Sequence, residues 1–157
     1  MNTKELHEVF DDVLAPLGFR RRKETWYKTN PDTISVINLQ KSQWGGQYYV
    51  NLAVYLRDLG NSTLPQESQS HIRVRLTAIV GSDAVSVEEA LDLEREGLSA
   101  ERRKELVTEA LQAIAVPFLA SRSDLPSLRE LHARRGLGPV LITKGARELL
   151  DTAPKRP

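Results

Sequence analysis

Cysteine is missing from all 157 positions. That excludes disulfides, thiol nucleophiles and thiolate-held zinc, and it fits a reducing compartment. An excess of one charge is missing too: Lys and Arg nearly balance Asp and Glu, for a formal net charge of +1. So weak an overall field does not draw a whole molecule onto nucleic acid or a membrane surface. No apolar run approaches the roughly 18 residues that a membrane span requires. The chain opens Met1-Asn2-Thr3-Lys4-Glu5 and passes straight into a charged amphipathic pattern, so no signal peptide is expected. A cytoplasmic location is the resulting expectation. The histidines, His7, His71 and His132, are neither i,i+4 partners nor grouped with acids. No metal site and no cofactor are expected.

What is present reads as an ordinary globular chain, with 40% hydrophobic residues. Its length is that of about one domain, placed at 1–150, with 151–157 as a frayed tail. Charge is nonetheless uneven. Acids dominate residues 83–121 and bases dominate 122–157, a pattern of solvated helix faces.

Leu6, Val9, Phe10, Val13, Leu14 and Leu17 recur at helical spacing, so residues 3–17 are predicted to form an amphipathic helix. Asn2 or Thr3 would cap it and Gly18 would end it. Strands are predicted over Phe19–Lys28, Thr33–Lys41, Gln47–Leu56 and His71–Leu76, giving a four-stranded antiparallel meander. The second half reads as helical. Val87–Leu93 would start from a Ser86 capping box, 100–121 would be kinked or ended near Pro117, and 125–135 would start from Ser123 or Asp124. Val140–Leu150 reads as a short strand followed by a helical turn. The predicted class is therefore α+β: an N-terminal helix on a four-stranded antiparallel meander, followed by a helical C-terminal half.

Alternation sorts the middle strands into two faces. Taking Gly45-Gly46 as a two-residue turn sets Gln40 opposite Asn51, Leu39 opposite Leu52 and Ile37 opposite Val54. One face then holds Ile37, Leu39, Val50, Leu52, Val54, Ile72, Val74 and Leu76. The other holds Asn38, Gln40, Ser42, Tyr49, Asn51, Tyr55, His71, Arg73 and Arg75. Arg73 and Arg75 project to the same side, about 7 Å apart along the strand. Guanidinium forks match carboxylates and phosphates, and the amides both donate and accept. The same groups are equally able to form a polar layer that satisfies itself or the acidic helices, or simply to face water.

Several blocks in this order resemble a known family. They are Leu14-Ala15-Pro16-Leu17-Gly18-Phe19, Trp26-Tyr27, Ile37-Asn38-Leu39-Gln40-Lys41-Ser42, Tyr48-Tyr49-Val50-Asn51-Leu52 and His71-Ile72-Arg73-Val74-Arg75-Leu76. Together they resemble the bacterial "domain of unknown function 4304", over about residues 1–125. The resemblance implies a compact fold and brings no activity with it.

Three functions stand beside each other. The first is a non-enzymatic binding module that presents Asn38, Gln40, Ser42, Tyr49, Asn51, His71, Arg73 and Arg75 to a small anion or an acidic protein partner. Trp44 at the hairpin tip would anchor a partner or fold over Tyr48. The second is an enzyme on a phosphorylated or carboxylated small molecule, with His71 as base and Arg73 and Arg75 as anion clamp. The third is a dimer module built on the helical tail. The run Arg20-Arg21-Arg22-Lys23 beside Trp26 and Tyr27 has the look of a nucleic-acid patch, yet a charge-blunted edge strand explains it more simply. Gly136-Leu137-Gly138-Pro139 lacks phosphate-loop spacing and reads as a helix stop.

Overall fold

The computed structural model describes residues 1–152. Helix α1 spans Thr3–Leu14 and starts from a capping box: the Asn2 side chain accepts from the Glu5 amide and the Glu5 carboxylate accepts from the Asn2 amide. Its predicted last turn is a 3-10 turn instead, Ala15–Leu17, with Pro16 at its start. Gly18 follows at φ 93°, the left-handed geometry that turns the chain into the sheet.

Among the described residues the sheet has six strands in sequence order, every neighbouring pair antiparallel. They are β1 Arg20–Arg22, β2 Thr25–Thr29, β3 Thr33–Lys41, β4 Tyr48–Leu56, β5 Ile72–Arg75 and β6 Leu141–Ile142. Two differences from the expected meander account for the count. The segment 19–28 is not one strand but a hairpin, turned at Lys23, which takes φ 55°. The short β6 returns after the helices to flank β5. A three-residue edge strand of arginines is a poor template for unwanted pairing.

The β3–β4 register differs from expectation in an instructive way. Gln40 faces Tyr49, Asn38 faces Asn51 and Ile37 faces Leu52. The turn is not two residues long: Ser42 N–H bonds the Gln47 carbonyl at 2.8 Å, leaving 43–46 as the loop. The shift is even, so every side chain keeps its predicted face; an odd shift would have exchanged the faces.

The apolar face carries the main core. Ile37, Leu39, Val50, Leu52, Val54, Ile72, Val74 and Leu76 are all buried there, against Leu6, Phe10 and Leu14 of α1. Trp26 is only 1% exposed and donates to Asp11 Oδ1 at 2.9 Å. A buried indole needs such a partner, and its burial removes it from any basic-aromatic surface patch.

The remaining helices close over the same face: α2 Ala84–Ala90, α3 Ala100–Ala110, α4 Val116–Ala120, α5 Leu125–Ala133 and α6 Lys144–Asp151. Helix α2 begins earlier than expected and has no side-chain cap, so the Ser86 capping box does not form. Between α3 and α4 lies a π-helical turn, Leu111–Ala115. Pro117 has no N–H to donate and its ring crowds the preceding carbonyls, and the wider turn lets the helix run on instead of ending. Ser99, Asp124 and Thr143 cap α3, α5 and α6. Asp151 closes α6, and the expected tail lies outside the described residues from 153 onward.

Two arginines that sequence reading passed over hold the long connections. Arg103 is 3% exposed and donates to the carbonyls of Glu89, Ala90, Asp92 and Arg95 at 2.7–3.2 Å. Arg122 donates to the carbonyls of Phe118, Gly136 and Leu137. Burial pushes the Arg122 guanidinium below its usual range. Replacing Arg103 with Met keeps the apolar stem and removes the guanidinium bond from four carbonyls, of which Glu89 and Asp92 retain a backbone donor. Urea unfolding of Arg103→Met is expected to show a loss of about 3 kcal/mol.

Candidate functional site

The helices leave the second face of the sheet uncovered, and that face divides in two. At one end a small apolar cluster of Ile34, Val36, Ala53 and Tyr55, with Tyr27 against it, is buried. The connection between β4 and β5 lies over this end. Its Ser62 N–H donates to Tyr55 OH at 3.2 Å, and Glu67 takes Arg73 in a two-bond pair at 2.8 and 3.3 Å. Arg73 therefore fastens a loop, and its charge is answered within the chain.

The other end is open and polar. A row of cross-strand neighbours runs from β1 to β5: Arg22, Thr25, Asn38, Asn51 and Arg75. Arg22 and Arg75 stand at its ends, roughly 19 Å apart by strand spacing. Asn51, the buried centre, donates to Asn38 Oδ1 at 3.1 Å and to Gln40 Oε1 at 3.0 Å. Asn38 in turn donates to Thr25 Oγ1 at 3.0 Å. The amide oxygens are thus turned inward. Arg75 closes the network, with Nε on Asn51 Oδ1 at 3.4 Å and Nη2 on Gln40 Oε1 at 3.5 Å. Its guanidinium lies 4.2 Å from the Tyr49 ring centroid, a cation–π contact. Among the described residues Arg75 has no carboxylate partner. A groove of about 470 Å³ opens beside this network, between β2, β3 and the 66–68 segment.

His71 stands apart from the network. Its Nδ1 accepts from the Leu56 amide at 2.8 Å and its ring packs on Tyr55 at 4.7 Å. Burial, not the neighbouring arginines, pushes the imidazole below its usual range. The neutral ring carries its hydrogen on Nε2 and spends its one acceptor lone pair, on Nδ1, on the Leu56 backbone amide. To act as a base it would have to give up that bond. The structure thus brings Asn38, Gln40, Tyr49, Asn51 and Arg75 together, and commits Arg73 and His71 to holding the β4–β5 connection.

Ser42 closes the β3–β4 loop and Trp44 lies in it, and Ser42 Oγ accepts from the Trp44 amide at 3.1 Å. The Trp44 side chain is 92% exposed. It does not fold over Tyr48, which is buried and shares a hydrogen bond with Thr3. The loop is braced from behind by the segment after α2: Leu93 N–H donates to the Gly46 carbonyl and Tyr48 N–H to the Leu91 carbonyl. A Cβ on Gly46 would stand 2.6 Å from Glu94 Cγ and 3.0 Å from its backbone nitrogen, so only glycine lets the segment approach.

The family described as domain of unknown function DUF4304 matches residues 10–121. The chain belongs to it. No curated protein and no solved structure matches. The DUF4304 segment contains the whole Arg22–Arg75 row, the Trp44 loop and Arg103, whereas α5, β6 and α6 lie beyond it. Among the described residues no helix is long and apolar enough to cross a membrane. Nor do three His, Cys, Asp or Glu side chains converge there as a metal cage would require.

The His71 environment gives a pH dependence with a definite sign. Its folded value lies below its unfolded value, so the unfolded chain binds the extra proton first. The contribution to stability is whole above the ordinary histidine range, and it falls as pH drops from there toward the folded value. Urea midpoints of wild type and His71→Gln, compared from pH 7.5 to 5, are expected to converge toward the acid end. A constant gap across that range would count against this account.

Proposed function

We propose that this DUF4304 chain is a non-enzymatic binding module whose open sheet face takes carboxylate groups, from a small anion or from the acidic surface of a protein partner. One observation supports it above the others. Arg75 is held flat on Tyr49 by two amide oxygens and has no acid of its own among the described residues. Because those oxygens point inward, the amide nitrogen of Gln40 and the outer edge of Arg75 are the donors presented outward. A cation fixed in place loses little freedom when it meets a carboxylate fork. Cysteine-free composition supports a cytoplasmic setting for this role.

The test is a titration followed by amide NMR, with glutarate in one arm and a Glu-rich peptide in the other. Wild type is expected to saturate, more weakly at high salt, with shifts at Gln40, Tyr49, Asn51 and Arg75. Arg75→Ala is expected to bind at least about tenfold more weakly. Its stability should stay within about 0.5 kcal/mol of wild type, as for an exposed side chain. Saturation by glutarate alone would assign a small anion, and saturation by the peptide alone a protein surface. Equal binding by Arg75→Ala, or a large loss of stability, would overturn the reading. Arg73→Ala should behave differently, speeding hydrogen exchange across the β4–β5 connection.

A further inference from the structure

The polar row carries a cation at each end, and the chain answers neither. Arg20 and Arg22 are exposed on β1 and share the face of Arg75, since Arg22 pairs with Thr25 and Arg20 with Tyr27. Among the described residues none of these three arginines forms a salt bridge. Arg21, between them, goes to the other face and is held by Asp11 at 3.2 Å. Glu67, the acid that lines the adjoining groove, is spent on Arg73. The face is left with unanswered charge of one sign. We infer, on the basis of the carboxylate-binding reading above, that its occupant is an extended acidic polypeptide segment. The segment lies across the strands, with one carboxylate on Arg22 and another on Arg75.

Distance selects the kind of ligand. Roughly 19 Å separates the two ends, so a small dicarboxylate reaches one arginine only. An extended chain advances about 3.3 Å per residue and covers that interval in about six residues. Between the ends lies the groove of about 470 Å³, whose lining includes Thr25, Asn38, Gln40, Gln66 and Ser68. All five are neutral and able to hydrogen-bond. Such a lining suits main-chain N–H and C=O groups, which need partners once covered. Burial pushes the Tyr27 phenol above its usual range, against the opposing effect of the nearby Arg22 charge. Arg22 thus stands beside the groove that Tyr27 lines. The frame is already ordered: Asn51 fixes Asn38 and Gln40, and Glu67 fixes Arg73, so docking costs the sheet little freedom. Nucleic acid carries the right charge but needs open aromatic rings for its bases. Here the Tyr49 ring is taken by Arg75, Tyr27 packs on the apolar cluster and Trp26 is buried.

Titration at low salt, followed by amide NMR, tests it with two Ser-Gly peptides of one composition. Each carries two Glu residues, about six positions apart in the first and adjacent in the second. Wild type is expected to bind the spaced peptide roughly fivefold more tightly, as a second fixed ion pair would give. Amide shifts should reach Arg22 and Thr25 with that peptide only. Arg20→Gln/Arg22→Gln, a change at exposed edge positions, is expected to bind both peptides equally while keeping its glutarate affinity and its melting temperature. The wild-type comparison alone decides should the double variant fold poorly. Failure of the spaced peptide to bind, equal binding of the two peptides by wild type, or an advantage that survives in the double variant would overturn the inference. So would tighter binding of oligothymidylate than of the spaced peptide. Glutarate binding at Arg75 is untouched by any of these outcomes, so the carboxylate reading stands or falls separately, on Arg75→Ala.

Discussion

The pairing of Thr33–Lys41 with Tyr48–Leu56 governs both surfaces of this molecule. Along each strand alternate side chains go to opposite faces, so one register decision places Ile37, Leu39 and Leu52 in the core and Asn38, Gln40 and Asn51 in the polar network. The helices then have one apolar surface to cover, and they all cover it. The network is built from residues whose positions were fixed by burial on the other side. That is why the polar row is straight across the strands: it is the reverse of a packed layer.

The same constraint explains why much could be read in advance. Both faces of β3, β4 and β5 follow from alternation alone, and the wrong loop length did no harm because its error was even. Aliphatic spacing also located α1, and Asn2 and Gly18 marked its ends as cap and stop residues should. The hairpin at Lys23 was not legible, because a lysine at positive φ carries none of the usual glycine or asparagine signal. Nor was the burial of Trp26, whose acid partner lies on α1 and meets it only in the fold.

The candidate site was legible by composition and not by role. Arg73 and Arg75 look alike in sequence, two residues apart on one strand. They part company because a loop folds over one end of the face and brings Glu67 to Arg73, while Arg75 meets only amides and a ring. His71 was singled out for its neighbours, yet its chemistry is set by the Leu56 backbone amide. Arg103 left no mark at all in the sequence, since its acceptors are carbonyl oxygens that every residue carries, and most of the acceptors of Arg122 are of the same kind.

That last property has a corollary for how this surface can diversify. A clamp that grips only main-chain oxygens is indifferent to which side chains decorate the strap it holds. Between Glu89 and Arg95 the outward side chains take no part in that grip, while Arg103 holds the path of the chain and, through it, the posture of the neighbouring hairpin. The arrangement separates shape from identity: the platform stays put while the lettering on it is rewritten.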